Sequence, residues 1–138
     1  SPVDERSAAM KEVVLSVASN VENRREKMVA AMDWLTGVLA PLRSSMLYTT
    51  TALHGDSSYL NAVAQGYTDV SLEQLNALLK QHEIAEGRTK EMRARKQVPI
   101  DIDIVIYDGE ILRPNDYNQA FFQKGWKEIG NQKLEIRN

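Results

Sequence analysis

Two aspartates, Asp101 and Asp103, stand two positions apart within the aliphatic run from Val98 to Tyr107. Val, Ile and Tyr favour a β-strand, whereas Asp is depleted from strands, so two in one strand need an explanation. Because side chains alternate across a strand, the two carboxylates should share one face, roughly 6–7 Å apart. The opposite face should carry four isoleucines: Ile100, Ile102, Ile104 and Ile106. Mg²⁺ binds one or two carboxylates together with water and substrate phosphates, so the pair predicts a magnesium site. The alternative is that the carboxylates lie on the solvent-exposed face of an antiparallel sheet and have no further role.

A basic run leads directly into this strand. Five of the nine residues from Arg88 to Lys96 are Lys or Arg. Such a run is commonly a solvated loop. Beside carboxylate-held Mg²⁺, however, it supplies the second requirement of a polyphosphate site, because phosphoryl transfer depends on positioning and charge neutralisation. The chain has no Walker motif and no glycine-rich phosphate loop, so Arg, Lys and metal would have to hold the phosphates.

The composition excludes several other classes of site. The chain has 138 residues, 43% of them hydrophobic, a formal net charge of −2 and no cysteine. The missing cysteines exclude disulfides, thiolate chemistry and cysteine-based zinc sites. The charge gives no global field that would recruit nucleic acid or an anionic membrane. No run is apolar enough to span a membrane and no signal peptide is visible, so we expect a cytoplasmic protein.

The elements around these residues follow from periodicity and turn chemistry. A first strand is predicted at Val13–Val17, and a helix with an apolar face follows Asn20. Two strands are predicted at Ser44–Leu53 and Tyr59–Tyr67. A capping box at Ser71–Gln74 opens a second helix, which ends near Gly87. With the aspartate strand, the order is βαββαβ. This order predicts an α+β, ferredoxin-like fold with helices on one face of an antiparallel sheet. A short return strand is predicted at Glu110–Leu112, and the two Phe and one Trp of residues 113–138 indicate that this tail packs.

The motifs, in this order, resemble the 6-hydroxymethyl-7,8-dihydropterin pyrophosphokinase family over roughly residues 11–112. The matching segments are Ala18-Ser19-Asn20, Ser44 to Thr50, Tyr59-Leu60-Asn61, Glu83 ahead of Gly87-Arg88, and Asp101-Ile102-Asp103. The resemblance implies transfer of pyrophosphate from ATP to 6-hydroxymethyl-7,8-dihydropterin in folate biosynthesis. Residues 1–9 are polar and without periodicity, and Met10 resembles a natural start, so we predict a flexible leader or expression remnant at residues 1–10 and a single pyrophosphokinase-like domain over 11–138.

The resemblance assigns roles to individual residues. Asp101 and Asp103 would hold two Mg²⁺ ions, and they would be catalytic together with Arg88 and Lys90. The ATP contacts would be Glu83, Arg88, Lys90, Arg93 and Ile104. The pterin contacts would be Thr50, Leu53, Tyr59 and Asn61, with Phe121 or Phe122 as a further stacking face. The expected partners are ATP and a reduced pterin, with no nucleic acid and no membrane, and the protein is expected to be a monomer.

The chain departs from the family pattern at several positions. The glycine of the first turn is Ala18, and an Arg-Trp-Gly-Pro-Arg stretch is replaced by Ala94 to Val98. A later His and Arg have no counterpart, so the C-terminal part is expected to be replaced or truncated. Two alternatives therefore stand beside the enzyme: a catalytically impaired homologue that binds nucleotide or pterin, and a ferredoxin-like interaction module.

Overall fold

The computed structural model of the chain describes residues 10–50 and 58–137. The strands are β1 (Lys11–Ser19), β2 (Arg43–Ser44), β3 (Tyr48–Thr50), β4 (Tyr59–Thr68), β5 (Asp101–Tyr107) and β6 (Glu110–Ile111). The helices are α1 (Arg24–Leu35), α2 (Leu72–Ala85), α3 (Lys90–Ala94), α4 (Pro114–Tyr117) and α5 (Ala120–Arg137). Within the described ranges, no helix is both long and apolar enough to cross a membrane. The predicted α+β class is confirmed.

The six strands form one antiparallel sheet. Its strand order is β2-β4-β1-β5-β6, and β3 pairs with β4 as well. β1 lies in the centre, between β4 and β5. The strand predicted at Ser44–Leu53 is divided into β2 and β3, because Ser45 leaves the regular ladder. Its hydroxyl accepts a hydrogen bond from Val63 N at 2.9 Å, and its own N–H donates to Val63 O at 2.9 Å. Thr51 to Leu53 lie outside the described residues.

Helices cover both faces of the sheet. α1 and α2 pack on the first face, around a core that includes Leu15 and Ile102, as the ferredoxin-like prediction requires of the two core helices. α5 packs on the second face, where Phe122 and Ile129 are fully buried. The prediction of helices on one face alone is therefore wrong for the whole chain. The prediction that the tail packs is confirmed, and it is α5 that packs.

A β-bulge in β5 divides the strand into two halves. Val14 pairs with Ile106 and the next residue of β1, Leu15, pairs with Ile104, so Val105 is an extra residue. The bulge turns Ile106 to the second face, where it packs with Val105. The prediction that Ile106 shares a face with Ile102 and Ile104 is therefore wrong, because strict alternation stops at a bulge.

Gly125 allows α5 to lie directly on the sheet. A Cβ atom at this position would lie 2.7 Å from Val63 Cγ2 and 2.9 Å from the hydroxyl of Tyr48. That hydroxyl donates to Phe121 O and accepts from Gly125 N. Burial raises the pKa of Tyr48 to about 12, so the hydroxyl keeps its proton and remains a donor.

Substituting Gly125 therefore gives a test of this contact. Gly125→Ala is expected to lower the free energy of unfolding by about 1–3 kcal/mol, because the helix must move off the sheet. Gly130→Ala on the same helix is the control. A Cβ there meets nothing within 4 Å, and the better helix propensity should stabilise by up to ~1 kcal/mol. Urea unfolding of both variants measures the difference. Stabilisation by both substitutions would rule out the close approach.

Candidate functional site

The strand register places the predicted metal-binding residues and the predicted pterin-binding residues on one face of the sheet. Asp101 pairs with Ala18 of β1, and Ala18 pairs on its other side with Asn61 of β4. Directly paired residues share a face, so these three form a row across the centre of the sheet. The outer two are separated by two strand spacings, about 10 Å. The row lies on the second face, and Ala18 adds little bulk between the carboxylate and the amide.

Asp101 and Asp103 lie side by side on this face, as the alternation predicts. Their side chains are 32% and 20% exposed, so both are reachable from solvent. Burial, together with the charge of Asp101 and a hydrogen bond between the two carboxyl groups, raises the pKa of Asp103 to about 7, against the opposing positive charges of Arg113 and Lys80. Two carboxylates held this close repel each other, and a divalent cation relieves that repulsion.

The donor set fits Mg²⁺ shared with a substrate. Both side chains offer hard oxygen ligands, which Mg²⁺ prefers. Across residues 10–50 and 58–137, no group of three or more His, Cys, Asp or Glu residues is arranged to hold a metal ion. The two carboxylates would thus have to share any Mg²⁺ with water and phosphate oxygens, as is usual where the metal arrives with a nucleotide.

Glu83 holds the open edge of β5. β6 pairs only with Ile106 and Tyr107, so the outer edge of β5 near the aspartates is not covered by that strand. Glu83 accepts a hydrogen bond from Ile102 N at 2.8 Å and another from Arg88 Nη1 at 2.6 Å. Glu83 is only 1% exposed. These hydrogen bonds hold Arg88 and the strand in place, and the contact between Glu83 and ATP stays a prediction.

Two cations flank Glu83 and reach the aspartates. Arg88 Nη1 lies 3.2 Å from Asp101 Oδ1. Burial lowers the pKa of Arg88, but the negative charges of Glu83 and Asp101 outweigh burial and raise that pKa. Lys80 Nζ lies 3.4 Å from both Glu83 oxygens and 4.0 Å from Asp103 Oδ1. Lys80 was missed from the sequence. Its position one helical turn before Glu83 is the signal that could have found it.

The remainder of the basic run is partly helical. Lys90 begins α3, which Thr89 caps by accepting a hydrogen bond from Met92 N at 3.2 Å. Lys90 and Arg93 are exposed. Asn20 fixes the far end of the run: its Nδ2 donates to Lys96 O at 2.8 Å, and its Oδ1 accepts from Val98 N at 2.6 Å. The run is therefore anchored next to Asp101 at one end by Arg88 and beside the end of β1 at the other. The exposure of Lys90 and Arg93 fits the alternative of a solvated run, whereas Arg88 is fixed beside Asp101.

The predicted pterin residues lie together at the other end of the row. Asn61 is 3% exposed, and its Nδ2 donates to Thr50 Oγ1 at 2.8 Å and to Tyr59 O at 3.2 Å. Leu53 lies outside the described residues. Phe122 is fully buried in the second core and cannot stack on a ligand, which corrects that prediction. Phe121 is half-buried next to Tyr48.

The side chains of Ile104 and His82 and one cavity lie away from the row. The Ile104 side chain is 7% exposed in the first core, so only its main chain could contact a nucleotide. His82 stacks on Trp34 with ring centroids 4.2 Å apart, and burial lowers its pKa. A cavity of about 350 Å³ lies between α1 and the connection from β2 to β3, but it contains none of the predicted site residues.

The raised pKa of Asp103 predicts a pH dependence of the metal-free protein. Between about pH 4 and pH 7 the folded state holds a proton that the unfolded chain releases, so stability should fall as pH rises through this window. The change should be ~1–2 kcal/mol after allowance for partial exposure. Mg²⁺ needs ionised ligands, so it should stabilise more at about pH 8 than at about pH 5.5.

Asp103→Asn is the reference for this measurement. Melting temperatures of wild type and variant, with EDTA and with Mg²⁺, give the pH dependence due to Asp103 by difference. His82 has the opposite slope, since its lowered pKa destabilises the protein as pH falls below about 6.5, and the difference cancels that contribution. Identical pH profiles for the two proteins would show that the pKa of Asp103 is not raised in the folded protein.

Comparison with known proteins gives the family. No curated protein matched the chain. The family model described as 7,8-dihydro-6-hydroxymethylpterin-pyrophosphokinase (HPPK) matches residues 14–131, which is most of the chain. The match continues beyond residue 112, where the recognised motifs end, through α4 and into α5. That the C-terminal part is replaced or truncated relative to the family stays a prediction. The ordered motifs, the paired aspartates opposite Asn61 and this match agree, and the chain therefore belongs to the HPPK family.

Proposed function

We propose that the protein transfers the pyrophosphoryl group of ATP to 6-hydroxymethyl-7,8-dihydropterin. The observation that carries the proposal is the row in which Asp101 and Asn61 share a face on either side of Ala18. Asp101 at one end of the row could bind metal and phosphate, and Asn61 at the other end, about two strand spacings away, could form hydrogen bonds with the pterin. The family match supports the same reaction.

In this reaction the hydroxymethyl oxygen forms a bond to the β-phosphorus of ATP. The bond from that phosphorus to the bridging oxygen of the α-phosphate breaks, AMP leaves, and the hydroxyl proton passes to solvent. Asp101 and Asp103 would hold the Mg²⁺, two ions by the family resemblance. Bound Mg²⁺ would neutralise the charge that develops on the phosphate oxygens.

The protein side chains would position the two substrates. Arg88, already fixed by Glu83, would meet the phosphates, with Lys90 and Arg93 added from the exposed face of α3. Asn61, Thr50 and Tyr59 would hold the pterin, together with Leu53. Precise placement of two substrates can by itself supply a large part of a rate enhancement. The order β2/β3-β4-β1-β5 also supports a ferredoxin-like arrangement.

A coupled assay tests the proposal. Purified protein with ATP, Mg²⁺ and 6-hydroxymethyl-7,8-dihydropterin should form AMP and the pterin diphosphate in equal amounts. Omitting the pterin or adding EDTA should stop AMP formation. If AMP formation is no faster than in the reaction without pterin, the enzymatic proposal is rejected.

One observation favours a second candidate, a homologue that binds its ligands without turnover. Val98 stands where the family resemblance places a phosphate-binding arginine, and its main chain is fixed by Asn20. Calorimetric titration with ATP and with the pterin, in Mg²⁺, separates the two candidates. Binding without AMP formation would favour this second function, and binding of neither ligand would leave only an interaction module.

A further inference from the structure

The carboxylate cluster beside β5 contains two cations that are held in different ways. Arg88 has a short contact of 2.6 Å with Glu83, and its side chain is 26% exposed. Lys80 Nζ lies farther from its carboxylate neighbours, 3.4 Å from Glu83 and 4.0 Å from Asp103, and its side chain is 45% exposed. Arg88 is therefore anchored by a strong charge-assisted hydrogen bond, whereas Lys80 is held between Glu83 and Asp103 by two long hydrogen bonds to Glu83 and by charge attraction to Asp103.

A bound metal ion would reverse the sign of the net charge of this cluster. Glu83, Asp101 and Asp103 supply three carboxylates, against the two positive charges of Lys80 and Arg88. Arg113 also acts on both aspartates, but it pairs with Asp116 at 2.5 Å, so this pair adds no net charge. One Mg²⁺ on the aspartates changes the sum from about −1 to about +1 when all five groups are ionised. The ammonium of Lys80 would then lie beside a cation and no longer beside a free carboxylate, and bound polyphosphate would be the nearest new anion.

We propose that Lys80 is an exchangeable counterion: it balances Asp103 in the metal-free protein and moves onto a phosphate oxygen of the metal-bound nucleotide. This inference rests on the proposed function. Lysine suits the role because its compact charge sits on a flexible four-carbon stem, so a small rotation of the side chain can carry the charge a few ångströms. Arg88 cannot exchange in this way without leaving Glu83.

The proposal predicts opposite changes in two binding constants. Lys80→Met keeps the length of the side chain and removes its charge. It should bind Mg²⁺ alone about two- to fivefold more tightly, because a competing cation has gone, and should bind ATP in Mg²⁺ about tenfold more weakly. A side chain with a purely structural role would not move the two constants in opposite directions. Lys80→Arg should restore both toward wild type.

The experiment is a pair of calorimetric titrations, Mg²⁺ into metal-free protein and ATP into protein with saturating Mg²⁺. Lys133→Met is the matched control. Lys133 also pairs with a carboxylate, Glu12, at 3.2 Å, but Glu12 pairs with Tyr67 at the opposite end of β1 from Asp101. Neither constant should change in this control.

The outcomes separate this inference from the proposed function. If wild type forms AMP but Lys80→Met binds Mg²⁺ no more tightly or ATP no more weakly than wild type, the exchange is overturned and the enzyme remains. If wild type neither binds ATP in Mg²⁺ nor forms AMP, the proposed function fails and the exchange falls with it. Opposite shifts in Lys80→Met, with recovery in Lys80→Arg, support the exchange.

Discussion

The Asp101→Asn variant is expected to lose pyrophosphoryl transfer by a factor of about 10³ or more. The substitution keeps the size of the side chain but removes one of the two charges that would hold Mg²⁺ against the phosphates. It also weakens the contact with Arg88, which lies 3.2 Å from Asp101 Oδ1. AMP formation at saturating ATP and Mg²⁺ measures the loss.

Two controls show that this loss is chemical. Asp69→Asn changes an exposed aspartate in the turn after β4 and should leave turnover unchanged. Melting of Asp101→Asn without metal should be close to that of wild type, because the variant relieves the repulsion between the carboxylates, while its stabilisation by Mg²⁺ should disappear. Retention of more than about a tenth of wild-type turnover would exclude Asp101 as an essential metal ligand.

The Glu83→Gln variant is expected to lower the free energy of unfolding by about 2–4 kcal/mol. The two Glu83 oxygens serve Ile102 N, Arg88 and Lys80, and a glutamine offers only one oxygen. Either a buried N–H of β5 or the guanidinium of Arg88 then loses its acceptor. Urea unfolding, with AMP formation as a second readout, measures the result.

Glu86→Gln is the control for this prediction. Glu86 lies just after the same helix and pairs with Lys27 at 3.3 Å, but its side chain is 22% exposed. Loss of this more exposed pair should cost no more than about 1 kcal/mol. Equal and small effects of the two substitutions would mean that Glu83 does not stabilise the edge of β5.

Local chemistry made several elements predictable. Ser71 and Gln74 form both hydrogen bonds of the predicted capping box, at 3.2 and 3.1 Å, and α2 begins at the next residue, Leu72. The aspartate strand was predicted because β-branched residues dominate it, and its two carboxylates share a face. These features depend on contacts within a few residues, which a sequence displays directly.

Features that depend on distant partners could not be predicted in the same way. The bulge at Val105 follows from the register between β1 and β5, and nothing within β5 alone indicates it. Glu83 points inward because it accepts a hydrogen bond from Ile102 N. This contact exists only because α2 packs against β5. α5 is different: Phe122, Trp126 and Ile129 follow helical spacing, so the sequence does carry a signal for this helix.

The central position of β1 has a consequence for how the chain is made. Among the described elements, β1 is synthesised well before its two partners, β4 and β5, and α5 is synthesised after both. Until α5 leaves the ribosome, Val14, Val63 and Val105 on the second face have no cover. A nascent chain that has already paired its strands would therefore present a one-sided apolar sheet, the kind of surface that chaperones bind and that aggregates when synthesis stalls.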